Sequence, residues 1–251
     1  MDLKIYLIVC PLLFFAGFVD AIGGGGGLIS LPAYMLAGLP PHTAIATNKV
    51  SSSMGTAVAT FRLCRGGNVY WKLAVITVLF AALGSSTGAS LTLLVSEDAL
   101  FYILLVVLPV TAFVVLNKKL FHDNDIESEQ ITARTYIIAS SAALIIGMYD
   151  GFYGPGTGTF LLMAFTTLAK LNIKTSNAHA KIINFTTGLS SLVVFLMKGD
   201  VLMGLGLAAG VCNMAGGYLG AGLMLKNGTR IVRPAIIFVL SLLLVKILFF
   251  R

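Results

Sequence analysis

Charged side chains are scarce in this chain of 251 residues: 11% are Asp, Glu, Lys or Arg, against about 25% in soluble domains. With 57% hydrophobic residues and a mean hydropathy of +0.94, that scarcity excludes a water-soluble domain of ordinary composition. Acidic residues are scarcer still, 10 against 17 Lys and Arg, which gives a net charge of +7. In a membrane protein such an excess reflects basic loops held at the cytoplasmic face, so no nucleic-acid partner is expected. Cysteine is limited to Cys10, Cys64 and Cys212. They form no CxxC motif and no Cys/His cluster, which argues for packing and against a metal or redox centre. No cofactor is expected. No nucleophile–base arrangement occurs, and GGGGG lacks the Lys-Ser/Thr of a phosphate-binding loop, so an enzyme or an ATP-driven pump is the least supported class. MDLKIYLIVCPLLFFAGF at the start lacks a small-x-small cleavage site after it and is expected to stay in the mature protein.

Long apolar runs are what the chain has in abundance, and they match the roughly 20 residues a helix needs to cross a bilayer. The chain also repeats itself. GFVDAIGGGGG at 17–27 matches GMYDGFYGPGTG at 147–158, placing Gly17 and Asp20 over Gly147 and Asp150 at a spacing of 130. At a spacing of 132, Thr43, Ala46, Lys49, Gly67 and Val69 fall over Thr175, Ala178, Lys181, Gly199 and Val201. GSSTGASL at 84–91 falls over GGYLGAGL at 216–223 at the same spacing. The expected organisation is a first transmembrane repeat at 1–118, a polar cytoplasmic linker at 119–133 and a second repeat at 134–251.

Each half has the same plan: an apolar arm, a glycine-rich break, a short arm and three full spans. The spans are expected at 43–64, 71–94 and 98–117, then at 176–197, 200–225 and 231–250. A short arm of about 12 residues is only about 18 Å long, so each break reads as a broken helix or the tip of a re-entrant hairpin. The fold class is therefore all-α integral membrane, with 8–10 helical segments. Placing the 65–72 loop in the cytoplasm collects Arg62, Arg65, Lys72, Lys118, Lys119, Arg134, Lys170, Lys174, Lys226, Arg230 and Arg233 on that side. The other side keeps Lys4, Lys198, Lys246 and Arg251, with Glu97 and Asp98. This obeys the positive-inside rule and puts equivalent loops on opposite faces, so the two repeats are expected to be inverted.

Non-helical backbone at membrane depth is tolerated only when buried in protein or facing a polar cavity. Glycine tips followed by helix N-termini favour an anion, through bare N–H groups and the positive end of the dipole. Gly24, Gly25, Gly26 and Gly27 are therefore candidate substrate-binding residues, as are Gly154, Gly156, Thr157 and Gly158. Gly84, Gly88, Gly216 and Gly220 read instead as helix-packing residues. Lys49 and Lys181 occupy equivalent positions inside apolar spans, where a lysine costs about 3 kcal/mol. They either pair with Asp20 or Asp150 or attract an anion, and the two roles are compatible. Asn48, Ser52, His179 and Asn184 are candidate polar contacts, and Asp20 and Asp150 are candidate proton-coupling residues.

DAIGGGGGLISLP, ATNKV and DGFYGPGTGTFL, in this order on duplicated apolar halves, resemble the sulfite exporter TauE/SafE family of membrane permeases. The resemblance spans nearly the whole chain, with DGFYGPGTG its most specific part. It implies a multi-pass protein of the plasma membrane, the inner membrane in bacteria, that carries a small sulfur-containing anion such as sulfite or an organosulfonate. His179 and Ala180 stand where the first repeat has Thr47 and Asn48, so the site need not be symmetric. The expected function is a secondary transporter working by alternating access and driven by protons or the membrane potential; a passive anion channel is the alternative. Expected partners are the anion, the bilayer and protons, and whether a homodimer forms is left open.

Overall fold

A computed structural model describes residues 3–116, 131–198 and 201–227. Its elements are α1 (Leu3–Gly23), α2 (Gly27–Leu36), α3 (Pro41–Cys64), α4 (Trp71–Thr92) and α5 (Glu97–Leu116), then α6 (Ala133–Phe152), α7 (Thr157–Met163), α8 (Ile173–Lys198) and α9 (Met203–Asn227). A π-helical turn over Ala164–Leu168 extends α7. No strand occurs among the described residues. The span expected at 231–250 and the linker up to residue 130 lie outside the described residues.

The helix ends follow local chemistry. Proline fixes φ before the first turn of α3, where Pro40 and Pro41 stand. Asn172 Oδ1 accepts from Thr175 N at 2.9 Å, an N-cap that starts α8 three residues earlier than the apolar pattern suggested. Thr132 and Thr135 form a reciprocal capping box at the start of α6. The short arms are 10 residues in α2 and, with the π-turn, 12 residues over 157–168, too short to cross a bilayer of about 30 Å.

Five helices among the described residues are long and apolar enough to span a membrane: α1, α4, α6, α8 and α9. The distribution of side chains is not that of a soluble protein. Leu79, Leu83, Ile137, Ile145 and Val211 are more than half exposed, while Thr47, Lys49, Ser51, Asn177, Lys181 and Ser191 are buried. Large apolar groups facing outward, with lysines and other polar groups buried inside, call for lipid as the solvent. This is a multi-pass membrane protein.

The packing is reciprocal between the halves. The repeat pairs α1 with α6 and α4 with α9, and α1 lies mainly on α9 while α6 lies mainly on α4. Small residues allow it. A Cβ at Gly88 would overlap the Met148 carbonyl oxygen, one at Gly84 that of Leu144, and ones at Gly216 and Gly220 those of Phe14 and Phe18. These four glycines act in packing, as expected, because in lipid helices associate through close backbone approach. At one end of the bundle the same packing brings together helix ends that carry described basic residues, Arg62, Arg65, Lys72 and Lys226 among them. There the Arg62 guanidinium sits 3.9 Å over the Tyr218 ring, Leu225 abuts Gly66, and Leu73 shares a cluster with Ala169, Leu171 and Tyr136. At the other end His42 meets Glu97 at 2.7 Å, and Leu202 N donates to Thr47 Oγ1 at 3.1 Å.

Two outcomes are expected. Gly88→Val is overpacked by roughly 1–3 kcal/mol and lowers the unfolding temperature in detergent, whereas Gly204→Ala, whose nearest neighbour is the Tyr6 hydroxyl at 4.0 Å, leaves it unchanged. On a variant free of native cysteines, Asn68→Cys reacts with an impermeant thiol reagent only from the cytoplasmic side. Leu94→Cys, at an 82% exposed turn, reacts only from outside; labelling of both from one side contradicts the orientation read from the loop charges.

Candidate functional site

Both breaks turn through paired left-handed glycines: Gly24 and Gly25 at φ 80° and 89°, and Gly154 and Gly156 at φ 99° and 83°. An L side chain is strained there, which is why the turns need glycine. The two tips touch each other. Thr159 Oγ1 donates to the Gly23 carbonyl at 3.1 Å, a Cβ on Gly24 would collide with Gly158 and Thr159, and one on Gly27 would come within 2.9 Å of Pro155 Cα. Further support comes from Asn177 Nδ2, which donates to the Ala21 carbonyl at 3.2 Å, and from the Tyr149 hydroxyl, which donates to the Pro155 carbonyl at 2.6 Å. Polar groups freed by the broken helices are thus partly satisfied from neighbouring elements, as buried backbone requires.

Each lysine pairs with the aspartate of the opposite half. Lys49 Nζ donates to Asp150 Oδ2 at 3.0 Å and also to the Asp150 carbonyl. Lys181 Nζ donates to Asp20 Oδ2 at 2.6 Å, while Asp20 Oδ1 accepts from Gly26 N at 3.3 Å. The pairs are not equivalent in access. The Lys181 side chain is fully buried behind an Asp20 side chain that is 22% exposed. The Lys49 and Asp150 side chains are 5% and 12% exposed.

Between the tips and the pairs lies a cavity of about 50 Å³, room for a few waters or one small ion. The first tip contributes Gly25, Gly26 and Gly27 and the second Gly154, Gly156, Thr157 and Gly158. Asp20, Asn48, Lys49, Ser52, Asp150 and Asn184 also line it. Three candidates lie elsewhere. Gly24 is wedged between the tips, Lys181 sits behind Asp20, and His179 is sandwiched between aromatic rings away from the cavity. His179 Nε2 accepts from Tyr70 N at 3.2 Å, with the Tyr70 ring stacked on it and the Phe165 ring edge-on.

The structure adds Ala16, Ser30, Thr56, Gly188 and Asn213 to the wall. Two of these carry a sequence signal. Residues four apart share a helix face, so Asn48, Ser52 and Thr56 form one stripe on α3, and Asn184 and Gly188 form the corresponding stripe on α8. Ser30 and Asn213 carry none, since their place depends on how α2 and α9 pack. Asn48 Oδ1 and Asn184 Oδ1 are buried without a hydrogen-bond partner among the described residues, an arrangement that water or a ligand in the cavity would relieve. No group of three or more His, Cys, Asp or Glu suited to a metal occurs among the described residues.

Broken helices meeting at a small polar cavity inside a lipid-facing bundle define a membrane transport protein. The comparisons make the class particular: a family model for the sulfite exporter TauE/SafE family matches residues 9–247, and the chain belongs to that family. It is 34% identical over 235 residues to a probable membrane transporter protein of Sinorhizobium sp., covering 94% of this chain and 89% of the relative. It is also 34% identical to the probable membrane transporter protein YfcA of Escherichia coli K12, covering 93% and 86%, and 32% identical to a probable membrane transporter protein of Haemophilus influenzae, covering 94% and 91%. No solved structure matches. The protein is a membrane transporter of the TauE/SafE type.

The ion pairs generate a double-mutant cycle. Lys49→Met or Asp150→Asn alone leaves a buried charge without its counter-ion and is expected to cost about 3–5 kcal/mol. The double variant recovers most of that loss in thermal unfolding, and a double variant as unstable as the sum of the singles would show that the two residues do not act as a pair.

Proposed function

We propose that this chain is a secondary transporter that moves a small anion, sulfite or another sulfur oxyanion or organosulfonate, across the plasma membrane by alternating access. The observation that carries the reading is the pair of reciprocal Lys–Asp contacts between the halves, bordering one cavity between two glycine tips. With both aspartates ionised and paired, the four charges of the site cancel. An anion entering such a site gains a counter-charge only when a carboxyl takes up a proton and releases its lysine. Protonation of Asp150 would free Lys49, which borders the cavity, to face the anion. Asp20 would play the corresponding part toward Lys181, from which the carboxylate separates the cavity.

Coupling follows from where the pairs lie. Each joins one half to the other, so exchanging an aspartate for the anion loosens a bond between halves and allows one to move against the other. Release of anion and proton lets the pair form again. Backbone N–H groups at the two tips and the positive end of α2 add a field for the anion without a further fixed charge. Expected site residues are Gly25, Gly26, Gly27, Asn48, Lys49, Ser52, Gly154, Gly156, Thr157, Gly158 and Asn184, with Asp20 and Asp150 for the proton.

Uptake into proteoliposomes of sulfite, thiosulfate, sulfate and a small organosulfonate, each with and without an imposed pH gradient, tests this. Saturable flux of one anion that rises with the gradient is expected, and Asp150→Asn removes the gradient dependence. Flux that ignores the gradient means a passive anion channel. No flux of any of the four, beside a working control transporter, removes the sulfur-anion assignment.

A further inference from the structure

The polar side chains of the cavity are not shared evenly between the halves. Aligned through the repeat, Asn48 stands over Ala180, Thr56 over Gly188 and Ala81 over Asn213 at a spacing of 132, and Ser30 stands over Phe160 at a spacing of 130. Asp20 with Asp150 and Ser52 with Asn184 are polar in both halves, and Thr157 stands over Gly27. The duplication supplied equivalent positions, yet hydroxyl and amide groups occupy one member of each unequal pair.

Ser30, Thr56 and Asn213 line the same cavity. The Asn213 amide lies against Gly55, the residue before Thr56, and the Asn213 carbonyl oxygen lies against Gly17. Gly26 packs on Ala16, the residue before Gly17, and Ser30 N donates to the Gly26 carbonyl at 2.9 Å. All three residues line the cavity and are deeply buried, at 2%, 7% and 4% exposure. None of these side chains makes a hydrogen bond to another described residue. Polar side chains that line a cavity and have no protein partner are open to a ligand that supplies one. Asn48, also on the cavity wall, adds a further amide whose NH₂ donates. Both lysines, by contrast, are already held by carboxylates at 3.0 and 2.6 Å.

We propose, resting on the anion reading above, that Ser30, Thr56 and Asn213, with Asn48, form a neutral cradle that binds the oxygen atoms of the substrate in the cavity. The ligand class is a compact oxyanion with several acceptor oxygens. Ser and Thr hydroxyls and Asn amides all donate, and an Asn side chain presents either its oxygen or its NH₂ by rotation. A ligand of many acceptors suits this set, and a volume of about 50 Å³ holds a single oxyanion without a bulky substituent. Neutral donors also hold an anion less tightly than a free lysine would, which favours release on the far side.

The test is titration calorimetry of the purified full chain with sodium sulfite, sodium thiosulfate and sodium sulfate, followed by sulfite uptake into proteoliposomes. Ser30→Ala and Thr56→Val are each expected to weaken sulfite binding about tenfold and to raise KM with the dependence on a pH gradient intact. Thr56→Ser, which keeps the hydroxyl, retains wild-type affinity, as does Thr87→Val at an exposed hydroxyl of α4. Wild-type affinity in both Ser30→Ala and Thr56→Val overturns the cradle and, since the wild-type protein binds, leaves the anion reading standing. A wild-type protein that neither binds nor carries any of the three anions overturns both. If Thr56→Val fails to elute as a folded species, Ser30→Ala decides alone: unchanged affinity overturns the proposal.

Discussion

Neutralising buried charge across the boundary between the halves is the constraint on which the rest of this structure depends. A lysine in a lipid-facing bundle is kept only with a partner, and here neither lysine finds one in its own half. Lys49 reaches Asp150 and Lys181 reaches Asp20, so each half lacks its counter-charges without the other. The partnership fixes where the broken helices stand, because both aspartates lie on the last turns of α1 and α6, just before the glycine breaks. Breaking either contact exposes a charge in a setting with little water to solvate it, so the pair acts as a clamp and also as a place where an incoming ion or proton has leverage.

Backbone chemistry imposes the second layer. Two chain reversals inside the bundle leave amides and carbonyls that a helix would have satisfied. Contacts between the tips, such as Thr159 to Gly23, and from flanking helices, such as Asn177 to Ala21, take up some of them. Left-handed glycines make the reversals without strain, and glycines on α4 and α9 let α6 and α1 come close enough to bring the tips together. What remains between them is small and lined by hydroxyls, amides and glycines. Such a space suits selective, reversible binding, and it is reached only because close packing elsewhere holds it open.

Much of this was legible in the residues. The repeat offsets located both tips, both lysines and both aspartates, because duplication preserves spacing whatever the final geometry. The α3 stripe of Asn48 and Ser52 was visible too, and a step of four residues leads to Thr56. Ser30 and Asn213 were not legible, since one polar residue in an apolar helix says nothing about which neighbour it will face. Likewise Gly24, Lys181 and His179 carried the same marks as true cavity residues. Contacts with Gly158, Asp20, Tyr70 and Phe165 from distant parts of the chain set them outside the wall.

The sequence by itself determined the solvent, the duplicated plan, the family resemblance and the chemical types present at the tips and in the spans. These follow from composition and spacing, which are local properties. Only the tertiary structure decided that each lysine takes the aspartate of the opposite half, that Lys49 borders the cavity while Lys181 is sealed behind Asp20, and that Ser30 and Asn213 join Asn48, Ser52 and Thr56 around it. Those outcomes depend on which surfaces of α1, α4, α6 and α9 meet, and such contacts join residues far apart in the chain that no local pattern connects.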